Sequence, residues 1–105
     1  MVELKELQKK IFQNKIDKGF NTTDVYVEIC ATMKELGEVV EAYWKKEDKL
    51  GEEIADVAIF LLGMSEMLGI DLEKEIIKKV EKNANRVYEK NEHGVLIRVR
   101  TNDDP

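Results

Sequence analysis

The chain has 105 residues, of which 37% are charged, with a formal net charge of -5 and a single cysteine. A length of this order fits one domain that buries only about 60–70% of its unfolded surface, so self-association is expected. The acidic balance argues against nucleic acid as a partner, and the longest apolar run falls far short of the roughly 20 residues that a membrane span needs.

Cys30 has no partner for a disulfide or a zinc site and reads as a small buried hydrophobe. No charged n-region followed by an apolar h-region opens the chain, so the cytoplasm is the expected location.

The only proline is Pro105, so nothing in the body of the chain breaks a helix. "VELKELQKKIFQNKIDKG" places Leu4, Leu7, Ile11 and Ile16 near helical spacing, with Gly19 as the stop. "FNTTD" then reads as a loop ending in an N-cap. A second helix is predicted from about Asp24 to about Lys46, with Ile29, Met33, Leu36, Val40 and Tyr43 as its apolar stripe. Asp48 is the expected N-cap of a third helix that runs to about Leu68 and stops at Gly69. Asp71 caps a fourth, striped by Ile77, Val80, Ala84 and Val87 and continuing to about residue 90. Strand signals are confined to "VLIRVR", too short and isolated for a sheet within one chain, and "TNDDP" reads as a loose end.

Four amphipathic helices with short connections imply an all-α, antiparallel four-helix bundle. The expected organisation is one domain over 1–105, with a helical core at about 2–90 and an extended tail at 91–105. The third helix is apolar nearly all round and is expected at the centre. That expectation draws attention to Asp56, the one polar residue between Ile54 and Leu62 in "GEEIADVAIFLLG", because burying an unpaired carboxylate costs several kcal/mol.

Residues three apart share a helix face, so Glu35 with Glu38 and Glu53 with Asp56 form two acidic pairs. If helices two and three turn back near Glu47, Glu38 and Asp56 lie level and the pairs face each other. Glu28 lies two turns before Glu35 on nearly the same face, and Ala31 and Ala42 leave room beside the acidic line. Four converging carboxylates repel and hold protons unless a counter-charge is present. Carboxylates without sulfur or imidazole favour hard ions, magnesium or manganese. A di-iron bundle would want Glu-x-x-His pairs, and the only histidine is His93, beyond the fourth helix. Solvated helix faces, and a salt bridge from Asp56 to a neighbouring helix, are the structural alternatives.

Lys79, Asn83, Arg86 and Lys90 follow intervals of four, three and four beside the last stripe, where cations suit phosphate oxygens or simply form a solvated face. Lys15, Lys18, Phe20 and Asn21 precede the second helix, either as nucleotide contacts or as an ordinary surface loop. Tyr43 and Trp44 read as core or subunit interface.

"KELGEVVEAYW", the segment from "GEEIADVAIFLLG" through the "GIDLE" turn, and the Lys/Asn/Arg run resemble the MazG family of nucleotide pyrophosphohydrolases over roughly residues 15 to 90. The family pattern is Glu-x-x-Glu, a spacer and Glu-x-x-Asp, matched by Glu35, Glu38, Glu53 and Asp56. Lys34 stands where many relatives have another Glu, and the Ser-Tyr-Thr segment of the related phosphoribosyl-ATP pyrophosphatases is missing.

The resemblance implies hydrolysis of a nucleoside triphosphate between its α and β phosphates, giving the monophosphate and pyrophosphate, as in house-cleaning of noncanonical or surplus dNTPs. It implies Mg2+, with Mn2+ as a substitute, on Glu35, Glu38, Glu53 and Asp56. It also implies a dimer or tetramer whose subunits complete the bundle. Lys79, Asn83, Arg86, Lys18, Phe20 and Asn21 are the expected substrate contacts. The competing expectation is a non-catalytic helical oligomerisation or nucleotide-binding module with the same fold.

Overall fold

A computed structural model describes residues 3–99. "TNDDP" and Arg100 lie outside the described residues. Four α-helices appear in chain order, α1 (Leu4–Lys18), α2 (Val25–Trp44), α3 (Leu50–Met67) and α4 (Leu72–Ala84), followed by two short strands, β1 (Val87–Lys90) and β2 (Leu96–Val99). The chain divides at Leu72 into two compact units. In the first, α3 packs against both α1 and α2, the central place that its apolar sequence predicts.

The helix ends follow local chemistry. α1 stops at Gly19 (φ 73), with the Gly19 and Phe20 amides donating to the Ile16 and Lys15 carbonyls at 3.2 and 2.9 Å. α3 ends in the same way at Gly69 (φ 69), whose amide donates to Glu66 O while that of Ile70 donates to Ser65 O. α2 repeats the motif with Lys46 in the left-handed position (φ 54), where the amides of Lys46 and Glu47 reach the Tyr43 and Ala42 carbonyls at 3.1 and 2.9 Å. Asp24 caps α2 by accepting from the Val27 amide at 3.3 Å. The expected cap Asp48 is displaced by one residue: Lys49 occupies the N-cap of α3 and makes no side-chain cap bond.

Gly63 lets α1 approach α3 closely, since a Cβ there would stand 3.3 Å from Ile11 Cγ2. Gln8, 2% exposed, ties α1 to the end of α3. Its Nε2 donates to Glu66 Oε1 and Ile70 O, and its Oε1 accepts from the Leu72 amide.

The apolar stripe predicted for the interior of α2 does not lie inside. Ile29, Met33, Leu36, Val40 and Tyr43 are all exposed, as are Trp44 and Cys30. Among the described residues only Ala42 and Leu62 are buried apolar side chains. α2 turns its acidic and small residues toward α3, so its apolar face points away from the chain's own core. Asp56 is likewise exposed rather than inside, on a helix that also leaves Ile54, Ile59 and Leu61 open.

In the second unit α4 ends at Ala84, six residues before the expected end, and "VLIRV" is not an isolated arm. It pairs antiparallel with Val87–Lys90 in the register Val87↔Val99 to Lys90↔Leu96. The turn is fixed by Asn91, whose Oδ1 accepts from the His93 and Val95 amides at 2.9 and 3.0 Å, and by Gly94 at φ 77. Helical periodicity carries the α4 stripe on to Val87, which masks the strand in the sequence.

Candidate metal centre

The tight α2–α3 turn brings Glu53, in the first turn of α3, against the Glu35/Glu38 pair of α2. Glu35, Glu38 and Glu53 each present a carboxylate oxygen, all within 4.8 Å of one another, and all three residues are half-buried. Glu53 Oε2 is buried with no hydrogen-bond partner among the described residues. An acceptor in that position, beside two further carboxylates, fits a hard cation.

The electrostatics agree with the geometry. Burial pushes the Glu35 carboxyl above its ordinary value, reinforced by a hydrogen bond with Glu38 and by the charges of Glu38 and Asp56. Burial also raises Glu53, followed by the charge of Glu38, with Lys49 opposing. Asp56 thus acts on both acids through its charge but is not one of the three whose oxygens converge.

Glu38 and Glu53 also line a cavity of about 200 Å³, together with Glu41, Ala42, Glu47 and Lys49. Lys49 was not singled out by the sequence reading, although its spacing to Glu53 is the i,i+4 interval of a helical ion pair. Its Nζ stands 3.5 Å from Glu47 Oε2 and 3.7 Å from Glu53 Oε1. The charges of Glu47 and Glu53 lift its ammonium above the ordinary amine range.

Glu28 does not join the cluster. Its Oε1 accepts from Lys15 Nζ at 2.7 Å and from Asn21 Nδ2 at 3.0 Å, while its Oε2 is buried without a partner. Lys15 is therefore a buried ion-pair member rather than a loop cation. Asn21 also donates to Asp24 O and accepts from the Thr23 and Asp24 amides, so its amide holds the loop that starts α2. Lys18 and Phe20 beside it are exposed.

In the second unit, Lys79 and Asn83 are exposed and Arg86 is half-buried, with Nε buried and unpartnered among the described residues. The charge of Arg86, then burial, then Lys82 and Arg98 push the Lys79 ammonium below its ordinary range. Cations gathered in this way suit an anion.

Comparison with known proteins bears on this arrangement. No curated protein matches the chain. Among solved structures, a cyanophage S-2L MazG-like pyrophosphohydrolase, bound to dGDP and three catalytic Mn2+ ions per active site, superposes with a TM-score of 0.71. It is 23% identical, and the match covers 95% of this chain and 100% of that one, so the fold is shared along nearly its whole length. The MazG-like family model matches residues 26–98, from the first turn of α2 through the acidic pairs to the hairpin. On that match, the chain belongs to the MazG-like family.

Proposed function

We propose that the protein is a metal-dependent nucleoside triphosphate pyrophosphohydrolase that cleaves the α–β phosphoanhydride of an NTP or dNTP to give NMP and pyrophosphate. The observation that carries this reading is the convergence of Glu35, Glu38 and Glu53 within 4.8 Å, with Glu53 Oε2 buried and unpartnered. A purely structural helix pair gains nothing from such mutual repulsion. The nucleotide and Mn2+ bound by the cyanophage protein of the same fold support both the substrate class and the ion.

In this reading Glu38 and Glu53 would hold Mg2+ or Mn2+, with Glu35 converging on the same point and Asp56, outside that convergence, assigned as a further ligand. A bound ion would supply Lewis acidity toward the triphosphate and toward the attacking water. Glu35, whose carboxyl is already raised by burial and by Glu38, orients the attacking water and takes its proton. The water oxygen bonds to the α-phosphorus. The bond from that phosphorus to the α–β bridging oxygen breaks, and its electron pair leaves on pyrophosphate. Lys79, Asn83 and Arg86 are assigned to phosphate oxygens. Lys18 and Phe20 are assigned to the nucleoside, with Asn21 holding their loop in place.

The reading includes a cytoplasmic homo-oligomer, a dimer or tetramer that leaves nucleic acid and membranes alone. The oligomer is supported by the exposed ribbon of α2, from Ile29 to Tyr43, and by a core whose buried apolar side chains among the described residues are Ala42 and Leu62 alone. Among the described residues no helix is long and apolar enough to cross a membrane.

The test is pyrophosphate release from the eight common NTPs and dNTPs and a set of modified ones, with Mg2+, Mn2+ or EDTA. Metal-dependent formation of monophosphate and pyrophosphate is expected. Silence across the panel from a folded oligomer would transfer the assignment to the non-catalytic module.

A further inference from the structure

We propose that Lys49 is a tethered counter-cation that competes with the divalent ion for Glu53 and so sets how weakly the acidic centre holds free metal. The inference rests on the metal-site reading of Glu35, Glu38 and Glu53.

Lys49 shares the cavity with Glu38 and Glu53, and its ammonium stands between Glu47 Oε2 at 3.5 Å and Glu53 Oε1 at 3.7 Å. The contact to Glu47 is at the limit of hydrogen-bond distance and the contact to Glu53 is beyond it. Lys49 therefore acts on Glu53 through charge and does not fix the rotamer of its carboxylate. The side chain of Glu53 is only 12% exposed whereas that of Lys49 is 56% exposed, so the cation is the mobile partner.

The turn explains how the lysine comes to be there. Lys46 takes the left-handed position and turns the chain sharply at the Glu47 amide, so that Lys49 opens α3 one helical turn before Glu53. A divalent ion held by Glu53 would be repelled by this ammonium, an effect worth about three- to tenfold in affinity in water and less with added salt. A bound triphosphate reverses the balance, since its negative charge attracts the ammonium and the divalent ion alike. The centre is thereby biased toward loading metal together with a polyphosphate rather than alone.

The experiment is a Mn2+ titration, followed by the EPR signal of the free ion, on the full chain and its Lys49→Met, Lys49→Gln and Lys49→Arg variants, with and without inorganic tripolyphosphate. Thermal scans verify that each is folded. The expected result is that Met and Gln bind Mn2+ about three- to tenfold more tightly than Lys, that Arg resembles Lys, and that tripolyphosphate narrows the gap. Equal affinity in all four chains would make Lys49 an ordinary surface cation and overturn the inference while leaving the metal centre intact. Weaker binding in Met and Gln would overturn it in favour of a positioning role for Lys49. Absence of Mn2+ binding by the wild-type chain would remove the metal reading itself, and this inference with it.

Discussion

Lys15 Nζ and Glu28 Oε1 stand 2.7 Å apart across the α1–α2 connection, with side chains only 11% and 4% exposed. Removing one partner from a buried pair strands the other charge and typically costs about 3–5 kcal/mol, a large share of the stability of a small domain. Lys15→Ala is expected to lower stability by that order in urea unfolding, since Glu28 already carries one unpartnered oxygen. The double variant Lys15→Met with Glu28→Leu removes both charges and is expected to recover most of the loss. A Lys15→Ala chain within about 1 kcal/mol of wild type would show the pair to be idle.

Glu35 and Glu53 titrate above the ordinary carboxyl value of 4.5. Between that value and the raised ones, the folded chain holds protons that the unfolded chain has lost. Stability therefore falls as pH rises through this window, and the penalty persists in full above it. Under the proposed metal reading, a divalent ion would replace those protons. Without divalent ions the melting temperature is expected to climb as pH is lowered from 7.5 through the window. Added Mn2+ is expected to raise it at pH 7.5, where the stability gain is about 2.7 kcal/mol at one hundred times its Kd, and to have little effect near pH 4.5. Glu53→Gln removes part of the pH penalty and most of the metal response. Superposed scans with EDTA and with Mn2+ at pH 7.5 would count against the centre.

The acidic centre was largely legible in the sequence because Glu35 with Glu38 is an i,i+3 relation that any α-helix must honour, and the short turn forces Glu53 to face them. The expectation that Asp56 lies inside fails for a different reason. Apolarity on every side of α3 says that the helix will be covered, and within the first unit α1 and α2 pack on it while Ile54, Ile59 and Leu61 remain exposed. The stripe of α2 fails in the same way, since periodicity identifies an apolar face without saying which neighbour it meets. The hairpin was hidden by Val87, which continues the spacing of Ile77, Val80 and Ala84 although the backbone has left the helix.

Lys46 carries a left-handed backbone at φ 54, where α1 and α3 use Gly19 and Gly69 for the same capping bonds. A side chain in that region costs about 1–2 kcal/mol, offset in part by the greater chain entropy that glycine loses on folding. Lys46→Gly is expected to stabilise the protein by about 1 kcal/mol, seen as a rise of roughly 4–8 °C in melting temperature. An unchanged or lower melting temperature would mean that the lysine side chain itself contributes to the turn.

Met33 and Val40 lie two turns apart on the outward face of α2, 68% and 65% exposed. A charge introduced there is on the face away from the acidic cluster and from the buried Ala42 and Leu62, so its effect within one chain should be small. If this ribbon is where subunits meet, the double variant Met33→Glu with Val40→Glu places four like charges in each two-fold contact, and their burial is prohibitive. Light scattering on a sizing column is expected to find wild-type dimers or tetramers and variant monomers. The variant should also melt earlier, at a temperature that no longer rises with protein concentration. A wild-type chain that runs as a monomer, or a variant with the wild-type mass, would mean that the ribbon is not the contact between copies.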